Sequence, residues 1–160
     1  MATHFAGTDK ERRSLDAYIK LMRSSVAVNG NLFPLIQAEF GITSTQLGVL
    51  EALSHLGPMP HCALADKLLV SASNLTTVVD NLVRDGLVQR ERDTNDRRVS
   101  ITSLTDAGEA RLASFFPEHV ARLVSVMSVL EPSELLELGR LCRKLGRGAA
   151  EMSKARAARV

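Results

Sequence analysis

Between two short apolar-polar runs, LVQRER and VSITSL, lies the stretch DTNDRR, with Asp96, Arg97 and Arg98 in close succession. Asp and Asn bond their own backbone in turns, so this stretch reads as the tip of a hairpin. Arginine at a tip can enter a narrow DNA minor groove, where negative potential concentrates. Just upstream, Ser73, Asn74, Thr76, Thr77 and Asn81 space themselves along one side of a helical segment, with Ser71 at its start and Arg84 near its end. Short hydrogen-bonding side chains of this kind suit base edges and phosphates; Asn pairs bidentately with adenine, and Ser or Thr serves either target. Any amphipathic helix also has a polar solvated face, so the helix acquires meaning only beside the basic tip.

Other chemistry-bearing residues form no such set. His55, His61 and Cys62 lie close together with Asp66 beyond, but their spacing matches no common metal-ligand motif, and the histidines read as surface residues. No metal or other cofactor is expected. Cys62 and Cys142 do not make a disulfide framework and read as reduced thiols, which places the protein in the cytoplasm. Arg140, Arg143 and Lys144 flank Cys142, yet its place on an apolar stripe predicts burial. Oxidant sensing by either thiol is an alternative, as is a metal-sensing variant. No phosphate-cradling glycine loop, GxSxG or HExxH occurs, so an enzyme is not expected.

The elements that must position these residues are mostly helical. Leu15, Tyr18, Ile19, Met22 and Val26 form one helical stripe, which Asn29-Gly30 is expected to interrupt. Pro34 then fits the first turn of a second segment carrying Leu35, Ile36 and Phe40, ended by Gly41. Thr43 and Gln46 make a capping-box pattern ahead of Leu47, Leu50 and Leu53, and this helix stops near Gly57-Pro58. A short helix spans His61 to Leu68. Ser71 caps the next, whose stripe is Leu75, Val78, Val79, Leu82 and Val83, and Gly86 closes it. The period then turns to alternation, with Val99 and Ile101 against Ser100 and Thr102. Thr105 caps a long helix bearing Leu112, Phe116, Val120, Leu123, Met127 and Leu130, where Pro117 is expected to produce a bend. Pro132 opens a last helix with Leu135, Leu138, Cys142 and Leu145.

Short helix, tight turn, amphipathic helix and hairpin make a winged helix-turn-helix, which places its second helix in the DNA major groove. The fold class is therefore mainly α with a small β-wing: N-terminal dimerisation helices over residues 1–42, the DNA-binding region over 43–104 and C-terminal dimerisation helices over 105–160, all one integrated domain. The flanking stripes exceed what one small winged core can cover, and a twofold dimer would bury them. Leu15, Ile19, Met22, Leu138 and Leu145 are the interface residues on this reading.

Composition is neutral on function. The chain has 160 residues, 45% apolar and 24% charged, with 4% aromatic and no Trp, so the core is aliphatic. Its net charge of +2 does not by itself argue for nucleic acid, although Gly139 to Val160 carries seven cations against Glu151, a net +6. That tail reads as a solvated helix end, with phosphate contact as the lesser reading. No apolar run reaches the roughly 20 residues of a membrane span, and MATHFAGTDKERRSL lacks the apolar core of a secretion signal.

The stretch LADKLLVSASNLTTVVDNLVRDGLVQRERDTNDRRVSITSLTDAG, Leu64 to Gly108, resembles the winged helix-turn-helix of MarR-family transcriptional regulators, and GITSTQLGVL resembles the segment before it. About half the chain is covered. The resemblance implies a homodimer on a pseudo-palindromic operator, usually a repressor, released by a small aromatic or apolar acid or by cysteine oxidation. It makes Arg98 the wing-tip arginine, Asp96 its orienting carboxylate and Asp80 an acid that can pair with wing arginines. It sets the ligand cleft among the first helix, Leu47 to Leu53 and the helix after the wing. Asn81 stands where the family often has Arg, which removes a cation from the DNA face. A winged module that binds protein instead of DNA is the alternative from another class; Arg97 and Arg98 argue against it.

Overall fold

A computed structural model describes residues 5–94, 96 and 98–157, leaving aside the side chains at 153, 154 and 157. In chain order the elements are α1 (Asp9–Phe40), α2 (Ser44–Leu56), β1 (Met59–Pro60), α3 (His61–Leu68), α4 (Ala72–Arg84), β2 (Val88–Arg92), β3 (Ser100–Leu104), α5 (Asp106–Met127) and α6 (Pro132–Ala157). Two compact units divide after Arg122, inside α5.

Local chemistry sets most helix ends. Thr8 and Glu11 form a capping box at α1, and Thr43 and Gln46 form another at α2. Gly41 and Gly86 take the left-handed conformation that ends α1 and follows α4 (φ 68° and 73°), where an L side chain would be strained. Thr105 Oγ1 accepts the Gly108 N–H (3.0 Å) and donates to the Gly86 carbonyl (2.6 Å), so one hydroxyl starts α5 and ties it to the end of α4. At Gly108 itself a Cβ would lie 1.9 Å from the Leu87 carbonyl oxygen. Only glycine lets α5 approach the base of the wing so closely.

The core of the first unit is aliphatic. Leu50, Leu64, Leu75, Val79 and Leu82 are all fully buried, drawn from α2, α3 and α4, with Ile36 of α1 and Phe115 of α5 closing the remaining sides. Phe40 stacks on Phe115 at 5.3 Å between centroids, and the Arg111 guanidinium lies 6.0 Å from each of the two rings while donating to the Phe40 carbonyl. Arg122 donates to both Glu39 oxygens (2.8 and 2.7 Å) and to Glu118, and the Glu39 contact holds its pKa above the ordinary arginine value.

Several sequence expectations change. Asn29-Gly30 does not break α1, and Pro34 lies inside the helix. Asn31 donates to the Ala27 carbonyl (2.8 Å), one turn back along the helix instead of into a turn. A helical Gly costs only about 1 kcal/mol, and burial of Leu32 and Ile36 on either side of Pro34 outweighs it. In β3, the middle of three strands, the fully buried side chain is Thr102, with Ile101 half-buried. β1, unread in the sequence, pairs Met59 with Thr102 on one side, and β2 pairs Arg90 with Thr102 on the other. In α5 the inward line is Leu112, Phe115 and His119 with Phe116 partly buried against the core, while Val120 and Leu123 are exposed; Pro117 lies inside this helix. Finally, Leu47, Leu50 and Leu53 are core residues, and Cys142 is exposed in the single chain.

α6 differs from every other helix. None of its described residues is buried: Leu135 and Leu138 are each 38% exposed and Leu145 58%.

Candidate nucleic-acid interface

α3 and α4 meet at 110°, the angle range of a helix-turn-helix. Leu69 makes the turn in a left-handed conformation (φ 55°), which costs a leucine roughly 1–2 kcal/mol. The Val70 N–H donates to the Ala65 carbonyl (3.2 Å), which holds the turn closed. Ser71 then caps α4 by accepting the Asn74 N–H (3.2 Å). With Leu75, Val79 and Leu82 fully buried, the opposite face is necessarily outward: Ser73, Asn74, Thr76 and Thr77 are exposed and Asn81 is half-buried.

Hydrogen bonding within that face limits what each residue can do. Thr76 Oγ1 donates to the Ala72 carbonyl (2.8 Å) and Thr77 Oγ1 to the Ser73 carbonyl (3.3 Å). Each hydroxyl has one hydrogen, so both remain acceptors outward, suited to base amino groups and unsuited to phosphate. Ser71 and Ser73 share a hydroxyl contact at 3.2 Å. Asn74 has no side-chain hydrogen bond among the described residues and keeps both donor and acceptor free for a base edge. Arg84, near the end of α4, leans on Asp85 at 3.4 Å and stays exposed.

The wing is built by β2 and β3, paired from Val88 with Leu104 to Arg92 with Ser100. At its tip Asp93 Oδ1 accepts the Asp96 N–H, and Asp96 Oδ1 accepts the Arg98 N–H (both 2.9 Å). Asp96 therefore orients Arg98 through its backbone, and Arg98 is exposed. Arg97 lies outside the described residues.

Asp80 does meet a wing arginine, but in the strand and not at the tip. Arg90 Nη1 donates to Asp80 Oδ1 (2.6 Å) and Nη2 to the Thr76 carbonyl (3.4 Å). This is the clearest residue that sequence reasoning missed. The signal was present: Arg90 is two residues from buried Val88, so it shares the strand face turned toward α4. His61 was also under-read. It is half-buried, with Nε2 3.1 Å from Thr76 Oγ1. Since that hydroxyl already donates to Ala72, His61 Nε2 is the donor.

Similarity to known proteins agrees with this geometry. The MarR family model matches residues 42–100. The HTH-type transcriptional regulator MhqR of Bacillus subtilis (strain 168) is 31% identical over 139 residues, covering 87% of this chain and 95% of MhqR. Sco3205, a MarR family transcriptional regulator from Streptomyces coelicolor solved in complex with DNA, has a TM-score of 0.78 at 25% identity, covering 89% of this chain and 93% of Sco3205. Bordetella bronchiseptica BpsR, whose DNA binding is regulated by 6-hydroxynicotinic acid, shares the fold with a TM-score of 0.70 at 23% identity over 82% of this chain and 98% of its own.

Proposed function

This chain belongs to the MarR family of transcription regulators, and on that premise we propose that it is a homodimeric, sequence-specific DNA-binding repressor released by a small molecule. The observation that carries the reading is the outward polar face of α4 beside an arginine-tipped wing. α4 enters the major groove, where Asn74, Thr76 and Thr77 meet base edges and Ser71, Ser73, Asn81 and Arg84 lie along the groove walls. Arg98, with Arg97 beside it in sequence, reaches the flanking minor groove. The DNA complex of Sco3205 supports DNA as the partner.

The dimer rests on what one chain leaves uncovered. Met22 of α1 is 46% exposed, with Leu15 and Ile19 half-buried on the same stripe, and the Leu138–Leu145 stripe of α6 is open. A twofold partner covers such faces and sets two recognition helices one DNA turn apart, ~34 Å, on a pseudo-palindromic operator. Bound there, the dimer blocks access to the DNA beneath it. Release requires a ligand that prefers a dimer whose helices no longer match the operator spacing. BpsR, regulated by 6-hydroxynicotinic acid, supports a small aromatic or apolar acid. We place the protein in the cytoplasm, with its DNA; no single described helix is long and apolar enough to cross a membrane.

A salt titration against mixed-sequence duplex DNA tests the function. A steep linear fall of log K with log salt is expected, since each phosphate contacted releases counterions. Absence of binding at low salt would make the winged domain a protein-interaction module instead.

A further inference from the structure

A cavity of about 390 Å³ opens between the start of α3, the middle of α4 and the wing. His61, Cys62, Thr76, Arg90, Arg98 and Ser100 line it. Three features make it selective for an acceptor-only anion. Arg90 is held by Asp80 and the Thr76 carbonyl through one N–H of each terminal nitrogen, and among the described residues its other N–H groups have no acceptor. α3 begins at Pro60–His61 with no side-chain cap on its first-turn amides, and such an end favours negative charge. Arg98, placed by Asp96, brings a second guanidinium to the rim. In a helix-turn-helix the first helix crosses the DNA backbone while the second lies in the groove, so the start of α3 faces a phosphate when α4 faces bases.

From this convergence we propose that the cavity seats one phosphate of the DNA backbone, gripped by Arg90 and the start of α3. The inference rests on the DNA-binding reading above and extends the interface to His61, Cys62 and Arg90, which lie off the recognition face.

Two measurements test it. Replacing the ion pair together, Arg90→Gln with Asp80→Asn, removes the phosphate grip while leaving the pair's net charge at zero. On mixed-sequence duplex DNA the slope of log K against log salt should shrink by about 0.9 for each cavity engaged, hence ~1.8 for a dimer using both. An unchanged slope in a variant that still melts cooperatively overturns the proposal, because Arg90 then serves only to hold Asp80. The second measurement needs no variant. Cys62 is exposed, and its alkylation by iodoacetamide, followed on the Cys62 peptide by mass spectrometry, should slow at least tenfold under saturating duplex DNA. Inorganic phosphate at the same ionic strength should give no protection. Protection by inorganic phosphate but not by DNA would make the cavity a free-anion site and overturn the assignment. If the unmodified protein fails to bind DNA at low salt, the proposed function itself falls, an outcome separate from a variant with an unaltered slope.

Discussion

α4 and α6 carry the same kind of apolar periodicity and meet opposite fates. The stripe of α4 is Leu75, Val79 and Leu82, each fully buried within its own chain. The stripe of α6 is Leu135, Leu138, Cys142 and Leu145, and no described residue of that helix is buried. Hydrophobic pattern says that a face will be covered and is silent on whether the same chain covers it. The difference is one of supply: α2, α3 and β2 pack on α4 within the chain, while the stripe of α6 stays open. One helix is a folding element, the other an association element.

The largest effect that would break this contrast concerns Leu138→Asp. A charge placed in a pairing face is left without a partner, so ultracentrifugation should show a monomer at micromolar concentration. Operator affinity should then fall by roughly 10²–10⁴-fold, the advantage lost when two linked half-site contacts become independent. A dimer that survives this change would mean that α6 pairs through another face. Leu75→Ala should act on the opposite quantity, lowering the stability of the winged unit by about 2–5 kcal/mol in chemical denaturation while leaving association intact. If Leu138→Ala in the isolated monomer costs as much as Leu75→Ala, the two helices do not differ in kind.

Gly108→Ala probes the close approach of α5 to Leu87. A methyl group cannot fit 1.9 Å from a carbonyl oxygen, so backbone must move, at a cost of roughly 1–3 kcal/mol or more. The melting temperature should drop and DNA binding should weaken with it, because the displaced strand carries the wing. Arg98→Ala should weaken operator binding by about 1–3 kcal/mol if the side chain reads a base and by less if it meets phosphate. Its melting curve should be unchanged, since the tip is exposed.

The smallest effect is at the start of α1. Hydrogen bonds from Thr8 hold the Glu11 carboxyl below its ordinary pKa. A carboxyl whose folded pKa is depressed contributes stability above its unfolded value, near 4.3, and loses it as pH falls through the folded one. Protection in the first turn of α1, taken relative to free-chain exchange at the same pH, should therefore be lost selectively as pH falls through the depressed carboxyl pKa. Equal protection in Glu11→Gln at pH 7 and pH 3 is the expected control; the same loss of protection in acid in that variant would assign the effect to another group.

Much of this was legible locally. The Thr43 capping box, the Ser71 cap, the glycine ends at 41 and 86 and the Thr105 start of α5 depend on residues three or four apart, so a linear reading captures them; the Thr8–Glu11 box, equally local, went unread. The failures have long-range causes. Gly30, at about 1 kcal/mol, and Pro34, at about 3 kcal/mol, are helix breakers overruled by burial of Leu32 and Ile36. In α5, Phe115 and His119 are buried beside a partly buried Phe116 while Val120 is exposed, because Phe40 and the core lie on that side. Of the interface residues, the outward side of α4 followed from its apolar stripe, whereas Arg90 and His61 became visible only when the strand and α3 closed on Thr76.

By itself the sequence determined the helix-turn-helix, the position of its caps, the outward polar face and the arginine-bearing hairpin, since each is written in spacings of two to four residues that sterics and backbone hydrogen bonding read directly. Tertiary structure alone decided that α1 is continuous, that Thr102 is the buried strand residue beneath a third strand, and that Asp80 binds Arg90 beside a cavity at the start of α3. These depend on which elements pack together, and packing energy is summed over partners that stand far apart in the chain.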